Sequence, residues 1–367
     1  MSSMTARHFV GNGQRPAMLK PGDTVALISP ASPIPTDGRT VENILASVTE
    51  RLAQLGLHTV VGSHAADGRG YLAGSDADRA RDLMDAFENP EVAGIWCMNG
   101  GYGTPRILDR LDYGLIARHP KAFIGYSDIT ALHTALRQHA RLVTFLGPFG
   151  YEMAFPFRSA HPAADAFTWE WFQRAVMRPN PLGELPTLGP WQTTPMQSIV
   201  AGVAQGPLVG GNLSLLSNTM GTPYEIDTAG TILLIEDVNE APYRIDRMLT
   251  QLRLAGKLQA AAGFVVAECV NCGPTSPTPG NLTLRKIVND IIVPLGKPTV
   301  YGLPAGHGPG RLTLPLGVAA TVDGNNAKVV IDASGVVAGS RDRLPFSKRS
   351  SHPDPSPQPS RFGKRRR

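Results

Sequence analysis

The sequence predicts an α/β protein whose N-terminal half is a doubly wound parallel sheet. Two patterns carry this prediction: short apolar strands alternate with amphipathic helices, and several of the strands are apolar on both faces. Strands of this kind are typical of parallel sheets that are covered by helices on both sides. A chain of 367 residues is also long enough for two domains, each with its own core.

The N-terminal domain is expected at residues 19–160, after a disordered leader of residues 1–18. Its strands are short apolar runs, and its helices repeat apolar residues every three or four positions. The expected elements are, in order, a strand at 24–29, a helix at 40–55, a strand at 58–62, a helix at 76–89, a strand at 92–98, a helix beginning at 106, a strand at 122–126 and a helix at 128–139. Ser75 is the expected N-cap of the helix at 76–89, because acidic residues fill the first turn of that helix.

A connector at residues 161–196, rich in proline after a helix at 164–177, leads to a second domain predicted at residues 197–340. This domain is expected to mix strands with helices. Its predicted elements are strands at 231–235, 263–267, 299–302, 319–322 and 328–331, and a helix at 243–255. Residues 341–367 are rich in Pro, Ser and Arg and predict a disordered basic tail.

The net charge of +5 is concentrated in that tail. From Arg341 to Arg367 there are nine Lys and Arg against two Asp, a net of +7, which leaves −2 for the rest of the chain. The remaining sequence has no basic stripe with interleaved aromatic residues, so we expect no nucleic-acid partner. Cys97, Cys269 and Cys272 make no disulfide framework, and the C-x-x-C pair lacks the second pair of ligands that a zinc site needs.

The sequence also gives no indication of a membrane. Residues 1–16 are polar and lack the apolar core of a secretory signal. No run approaches the roughly 18 apolar residues of a membrane-spanning helix. We therefore expect a cytoplasmic protein without a membrane partner.

The first chemical motif is a serine at a strand-to-helix corner, in the segment Gly125-Tyr-Ser-Asp-Ile-Thr130. A sharp turn there lifts the serine hydroxyl out of the sheet and points the next backbone N–H, that of Asp128, toward the same place. Ser127 is therefore a candidate nucleophile. The pattern is G-x-S-x-I rather than the G-x-S-x-G of a nucleophile elbow, and the alternative is that Ser127 or Asp128 is simply a helix N-cap.

The second motif is the glycine loop Met98-Asn-Gly-Gly-Tyr-Gly103, which also follows a buried strand and precedes a helix. Neighbouring glycines let backbone N–H groups approach a ligand closely, so such a loop can hold an oxyanion or a phosphate. It lacks the lysine and the spacing of nucleotide-binding loops, so a nucleotide site is not expected. The alternative is a turn that serves packing alone.

Three carboxylates and a histidine complete the set. Glu236, Asp237 and Glu240 stand just past the predicted end of an apolar strand, where a carboxylate can orient a histidine or bind a metal. His307 lies between glycines in a stiff loop after the strand at 299–302, a position that suits a general base. A solvated strand end is the alternative for the carboxylates. Together the motifs supply a nucleophile, an oxyanion loop, an orienting acid and a base.

With these motifs the chain resembles the LD-carboxypeptidase family, serine peptidases of the S66 type that also include the microcin-immunity peptidases. The resemblance runs from about Lys20 to about Gly339. It rests on the segments KPGDTVALISPASP, YLAGSDADRARDL, NGGYGTPRILDRLD, FIGYSDITALH, GGNLSLL, ILLIEDVNEAPYRIDRML and LPAGHGPGRLTLPLG. Matches in this order over most of the chain are much more specific than any single motif.

The resemblance implies a role for each motif. Ser127 matches the nucleophile, His307 the general base and Glu236 the orienting acid, with Glu240 as the alternate. The oxyanion donors would be the backbone amides of Asp128 and Gly101. The resemblance also implies an N-terminal flavodoxin-like domain, a smaller C-terminal β-rich domain, a cleft between them and a homodimer, without a cofactor or a metal.

The substrate implied by the resemblance is a murein tetrapeptide, cut between an L-centre and its terminal D-amino acid. The alternative, from the immunity branch, is an aminoacyl-nucleotide amide, and the EDVNEAPYRIDRML and GHGPG segments favour the carboxypeptidase branch. Arg106 and Arg244 are candidates to bind the substrate carboxylate, and Tyr102 is a further candidate for substrate binding. Asn99 stands where the family often has Arg, which affects substrate preference more than catalysis.

Two other classes of protein are disfavoured by the sequence. A binding module built on an inactive triad would have lost a triad position, and all three positions are filled. An enzyme like the glutamine amidotransferases would need a cysteine at a strand-to-helix corner, and no cysteine occupies one.

Overall fold

The structure is a computed structural model that describes residues 13–154, 162–274 and 282–339. The strands are β1 (Thr24–Ile28), β2 (His58–Val61), β3 (Val92–Cys97), β4 (Ala122–Gly125), β5 (Thr144–Leu146), β6 (Gly183–Glu184), β7 (Gln197–Val200), β8 (Val203–Asn212), β9 (Ile232–Val238), β10 (Gly263–Val270), β11 (Thr299–Gly306), β12 (Leu314–Leu316), β13 (Ala319–Asp323) and β14 (Lys328–Ile331). The α-helices are α1 (Val41–Ala53), α2 (Asp76–Glu88), α3 (Tyr113–Arg118), α4 (Thr130–Ala140), α5 (Gly150–Met153), α6 (Pro162–Met177), α7 (Leu213–Asn218), α8 (Pro242–Leu254), α9 (Lys257–Ala260) and α10 (Leu284–Ile291). Short 3₁₀ helices lie at Thr104–Arg110, Ser127–Ile129 and Val293–Leu295.

The first sheet has the strand order β2-β1-β3-β4-β5, with all five strands parallel. This is the order of a flavodoxin-like doubly wound sheet, so the predicted fold class is confirmed. The sixth strand of the sheet, β12, pairs antiparallel with β5 although it belongs to the second half of the chain. The two halves therefore share a sheet edge, which a linear division of the sequence did not anticipate.

The second sheet has eight strands in the order β6-β14-β13-β8-β9-β10-β11-β7. Its centre, β8 to β11, is parallel, and antiparallel strands flank it on both sides. One apolar core extends from the first sheet onto this sheet, and a second core lies beneath helices α7, α8 and α10. The carboxyl ends of β9 and β11 carry the predicted acid and base.

Several elements differ from the sequence prediction. Where a helix was expected from residue 106, the structure has a 3₁₀ helix that ends at the extended Leu111. Asp112 then caps a separate helix, α3, by accepting the N–H of Leu115. Ser75 does cap α2, as predicted, by accepting the N–H of Asp78.

The start of the described chain is ordered by pairing, whereas the sequence predicted disorder up to residue 18. Gln14 forms a parallel bridge with Leu142, and Ala17 forms one with Val337. These residues have few apolar side chains, and their backbone hydrogen bonds come from distant segments that local sequence cannot reveal. The rest of the predicted leader, residues 1–12, and the predicted tail, residues 341–367, lie outside the described residues.

Candidate active site

Ser127 sits at a strained corner between β4 and α4. Its backbone φ is +56°, in the left-handed region that residues other than glycine rarely adopt. Tyr126 before it is extended, and a 3₁₀ turn begins at Ser127 and leads into α4. This is the local geometry of a nucleophile elbow, although the glycine at the last position of that motif is absent.

The glycine loop after β3 lies directly against Ser127. A Cβ added at Gly100 would lie 3.3 Å from the Ser127 Cβ and 2.5 Å from the ring of Phe149. Gly101 has a φ of +92°, and a Cβ there would lie 2.3 Å from the hydroxyl oxygen of Ser32. Glycine is therefore required at both positions for the loop to approach the corner this closely.

Ser32, in the turn after β1, shapes this loop. Its N–H donates to the carbonyl of Gly100 at 2.9 Å, and its hydroxyl accepts the N–H of Tyr102 at 3.0 Å. Ser32 lies about 70 residues upstream of the loop, and the sequence analysis did not identify it. Its only sequence signal is a position after a buried parallel strand, where functional loops gather.

Asp128 ties the corner to the glycine loop. Its buried carboxylate accepts the backbone N–H of Thr104 at 2.8 Å, and its carbonyl accepts the Thr104 hydroxyl at 2.5 Å. Burial raises the pKa of Asp128, although its hydrogen bonds to Thr104 and Gly103 act in the opposite direction. The side chain of Asp128 therefore holds the loop, while its backbone N–H belongs to the corner that presents Ser127.

Glu236 and His307 are in direct contact. The Nδ1 of His307 lies 2.7 Å from Oε2 of Glu236, and Glu236 is fully buried while the His307 side chain is 14% exposed. Because a carboxylate accepts hydrogen bonds, Nδ1 of His307 carries the hydrogen and donates it to Glu236. Nε2 then has a free lone pair and can accept a proton. The other face of the site is reached through Tyr126, the residue before Ser127, whose ring centroid lies 4.8 Å from that of His307.

The geometry of the sheet explains how this contact forms across an intervening strand. Glu236 lies within β9 rather than past its end, and His307 follows β11, which runs on to Gly306 instead of ending at residue 302. The strand between them, β10, loses regular pairing between Val266 and Cys269. A Cβ at Gly306 would lie 2.6 Å from Oε2 of Glu236, so the glycine makes room for the carboxylate.

The other two carboxylates of this segment have different partners. Asp237 accepts hydrogen bonds from the Nδ2 of Asn212 at 3.1 Å and from the N–H and hydroxyl of Ser214 at 3.0 and 2.9 Å. It thereby fixes the start of α7. Glu240 pairs with Arg244 at 3.4 Å at the start of α8. The contact with His307 is made by Glu236.

Two family models match the chain. The model of the LD-carboxypeptidase N-terminal domain matches residues 25–147, and the model of the LD-carboxypeptidase C-terminal domain matches residues 205–322. The chain belongs to the LD-carboxypeptidase family.

Relatives along most of the chain include two carboxypeptidases and an immunity protein. The chain is 40% identical to the probable murein peptide carboxypeptidase of Bacillus subtilis, over 87% of this chain and 94% of the relative. It is 31% identical to the murein tetrapeptide carboxypeptidase of Pseudomonas aeruginosa, over 83% and 94%. It is 26% identical to the microcin C7 self-immunity protein of Escherichia coli, over 86% and 94%.

Solved structures of the LD-carboxypeptidase family share this fold. The muramoyltetrapeptide carboxypeptidase from Oxalobacter formigenes superposes with a TM-score of 0.70 at 28% identity, covering 86% of this chain and 99% of that one. The microcin C7 self immunity protein gives a TM-score of 0.75 at 24% identity, covering 88% and 99%. At 24% identity the second likeness bears on the fold alone.

The predicted substrate-binding arginines of this LD-carboxypeptidase-family protein have carboxylate partners of their own. Arg106 is paired with Asp76 at 3.0 Å, and Arg244 with Glu240. Tyr102 is 47% exposed and packs edge-on against Tyr71. Both arginine side chains are exposed, and their binding of a substrate carboxylate stays a prediction.

Asn99, in the glycine loop, has a structural partner. Its Nδ2 donates to the carbonyl of Pro33 at 2.6 Å. The side chain thus holds the glycine loop to the turn after β1 and brings no charge to it.

A second, half-buried carboxylate borders the histidine loop. A Cβ at Gly308 would lie 2.3 Å from Oε2 of Glu268, whose carboxylate accepts the Nε1–H of Trp191 at 3.1 Å and the Nε2–H of Gln192 at 2.9 Å. Burial raises the pKa of Glu268, and this effect outweighs that of the two hydrogen bonds, which lower the pKa. The sequence analysis missed this residue, because Glu268 lies in an apolar strand outside any recognised motif.

In residues 13–154, 162–274 and 282–339, no group of three or more His, Cys, Asp or Glu side chains is arranged to hold a metal ion. Among the helices of the same residues, none is both long enough and apolar enough to cross a bilayer.

Proposed function

We propose that this protein is a serine LD-carboxypeptidase, which hydrolyses the amide bond between an L-centre and the terminal D-amino acid of a murein tetrapeptide. The observation that carries the proposal is the 2.7 Å contact between buried Glu236 and His307, whose imidazole packs against the ring of Tyr126, the residue before the strained Ser127. The relationship to carboxypeptidases of murein peptides supports the substrate class.

The proposed reaction is acyl transfer to water. His307 accepts the proton of the Ser127 hydroxyl through Nε2, and the serine oxygen attacks the scissile carbonyl. Glu236 holds the imidazole by its Nδ1–H and stabilises the imidazolium that forms. The imidazolium then protonates the departing amine of the D-amino acid, and a water activated by His307 hydrolyses the acyl-enzyme.

The proposed oxyanion donors are the backbone N–H groups of Asp128 and Gly101. Both belong to segments whose geometry is fixed by other contacts: the Thr104 bonds fix Asp128, and Ser32 fixes the glycine loop. Donors that are already in place stabilise the tetrahedral intermediate without reorganisation. Each such donor lowers the activation free energy by roughly 3–4 kcal/mol.

The experiment that tests the proposal measures D-alanine by mass spectrometry after incubation with murein tripeptide, tetrapeptide and pentapeptide. We expect the enzyme to release D-alanine from the tetrapeptide, and the tripeptide, which lacks the terminal residue, to be the blank. Failure to act on the tetrapeptide would contradict the proposal. Cleavage of an aminoacyl-nucleotide amide in its place would assign the chain to the immunity reaction. The homodimer and the cytoplasmic location stay predictions.

A further inference from the structure

Tyr126, the residue immediately before Ser127, is enclosed between a histidine and an arginine. Its ring packs against the imidazole of His307 with a centroid distance of 4.8 Å. The guanidinium carbon of Arg311 lies 4.2 Å from the centroid of the same ring. The residue that leads into the serine corner is thus in contact with both the proposed base and a buried cation.

Glu152, in α5, gathers the polar groups around this ring. One carboxylate oxygen accepts the hydroxyl of Tyr126 at 2.8 Å and lies 3.1 Å from Nη2 of Arg311. The other oxygen accepts the backbone N–H of Phe149 at 2.9 Å. The carboxylate therefore binds the segment before Ser127 and anchors itself to the chain that follows β5.

Arg311 also forms a hydrogen bond on the His307 side of the site. Its Nη2 donates to the carbonyl of Gly308, the residue after His307, at 3.2 Å, and its own N–H donates to the Thr168 hydroxyl at 2.9 Å. The Arg311–Glu152 ion pair thus spans from the residue before the nucleophile to the residue after the base. Tyr126 follows β4 of the first sheet, and Gly308 follows β11 of the second sheet.

Stability alone does not account for this pair. Arg311 is 7% exposed, and burying an ion pair commonly adds little net stability compared with apolar side chains of the same size. Burial lowers the pKa of Arg311, but the charge of Glu152 and the contact with Tyr126 outweigh it, so the pKa lies above its usual value and the guanidinium is charged. What the pair supplies is geometry, because a planar guanidinium holds several partners at fixed angles.

We propose that Arg311 and Glu152 are positioning residues that set the distance and orientation between Ser127 and His307. This inference rests on the proposed function, in which those two side chains exchange a proton. Neither residue touches the substrate in this account. Their effect is to hold the two halves of the site in register, so that losing the pair slows acyl transfer more than it weakens substrate binding.

The test compares Arg311→Met, Arg311→Lys and Glu152→Gln with wild type in the D-alanine assay and in phosphonylation of Ser127 by a fluorophosphonate. We expect Arg311→Met to lower kcat and the phosphonylation rate about 100-fold, with KM changed less than about threefold, since a shift near 1 Å can cost that much. Arg311→Lys keeps the charge without the planar fork and should recover part of the loss. Glu152→Gln keeps an acceptor for Tyr126 without the charge and should fall between wild type and Arg311→Met.

The matched control is Arg137→Met. Arg137 is also 7% exposed and donates to the carbonyl of Asp227, far along α4 from the Ser127 corner. This variant should lose thermal stability and keep its kcat. If the control lowers kcat as much as Arg311→Met does, the effect is one of stability, and the inference is overturned.

The two assays separate this inference from the proposed function. Wild type that is phosphonylated but releases no D-alanine contradicts the proposed substrate, and the phosphonylation rates of the variants still decide the positioning role. Wild-type rates in folded Arg311→Lys and Glu152→Gln overturn the positioning role and leave the proposed function standing. Wild type that is inert in both assays overturns both proposals.

Discussion

At the scale of single residues, the site depends on which carboxylate faces His307. Glu236 lies 2.7 Å from Nδ1, whereas Asp237 binds Asn212 and Glu240 pairs with Arg244. A carboxylate in that place fixes the imidazole so that Nε2 faces the nucleophile, and it stabilises the imidazolium during the reaction.

Glu236→Gln should therefore lower kcat by several orders of magnitude, roughly 10⁴-fold as for the loss of a triad carboxylate elsewhere. The amide N–H₂ can face Nδ1 and favour the wrong tautomer. Glu240→Gln is the matched control and should stay within a few-fold of wild type, because its partner is an exposed arginine. Steady-state kinetics on murein tetrapeptide measures both, and the reverse ranking would show that the acid is Glu240.

Ser127 and His307 could be proposed from the sequence pattern, because each follows an apolar strand, whereas the choice of Glu236 among three carboxylates needed the family resemblance. The residues that support them could not. Ser32 and Arg311 lie within segments that carry the family resemblance, but the contacts of Ser32, Glu152 and Arg311 join distant parts of the chain, and no local pattern reveals those contacts. For the same reason Arg106 and Arg244 looked available in the sequence, while the structure pairs each with a carboxylate.

At the scale of elements, helix α4 carries a buried histidine behind the serine corner. His133 places Nε2 at 2.9 Å from the carbonyl of Gly125, the last residue of β4, and Nδ1 at 2.9 Å from the Thr144 hydroxyl in β5. Burial lowers the pKa of His133 to about 4. The neutral imidazole thus joins the helix to two strands.

This predicts a pH dependence of stability. The pKa in the folded protein, about 4, is below the ordinary value of 6.5, so the unfolded chain binds the proton first and stability falls as pH decreases from about 6.5 to 4. His133 should contribute at most roughly 3 kcal/mol to that fall. Urea unfolding of wild type and His133→Gln at pH 7, 5 and 4 measures it. The variant should be less stable at pH 7 and show a shallower decline, and parallel declines would contradict the account.

Longer apolar strands of both halves were predicted, since a run such as residues 231–235 is buried on both faces, but the three-residue buried strands β5 and β12 were not. Strand β8 was not predicted, because it contains glycines and polar residues; Gly210 and Gly211 have φ of +113° and +138°. Strand β8 is buried by its neighbours. Strand β9 pairs with the second half of β8, and Thr130 of α4 lies against Gly211. Tertiary contacts of this kind override local propensity.

At the scale of the whole molecule, the two sheets meet around the site and share the β5–β12 edge. Division of the sequence into two consecutive domains did not anticipate the return of residues 314–316 to the first sheet, nor the pairing of β6, from the predicted connector, with the second sheet. The histidine loop lies directly before that returning strand. The chain from His307 to Leu316 is therefore held by both halves, which suits a site formed between them.

The tail gives a prediction at this scale. Residues 343–367 are rich in Pro and Ser, end in Lys364-Arg-Arg-Arg367 and lie beyond the residues that the two family models match. Their deletion should leave kcat/KM for a murein tetrapeptide unchanged. Comparing the truncated and full chains in the D-alanine assay measures this, and a large loss would show that the tail contributes to the site.

A prediction about metals follows from the assigned roles. Side chains and backbone amides fill the proposed positions of nucleophile, base, acid and oxyanion donor, and Glu236 binds His307. Activity should therefore be retained in EDTA and should not respond to added zinc. If chelation abolished turnover and zinc restored it, Glu236 and His307 would have to be reinterpreted as metal ligands.

The most direct test of the account is the rate of D-alanine release from murein tetrapeptide by Ser127→Ala, with its fold checked by circular dichroism. We expect essentially all turnover to be lost, because the proposed acyl-enzyme cannot form without the serine oxygen. A correctly folded Ser127→Ala enzyme that retained more than about a tenth of wild-type turnover would contradict the central claim, since loss of a true nucleophile costs far more than that.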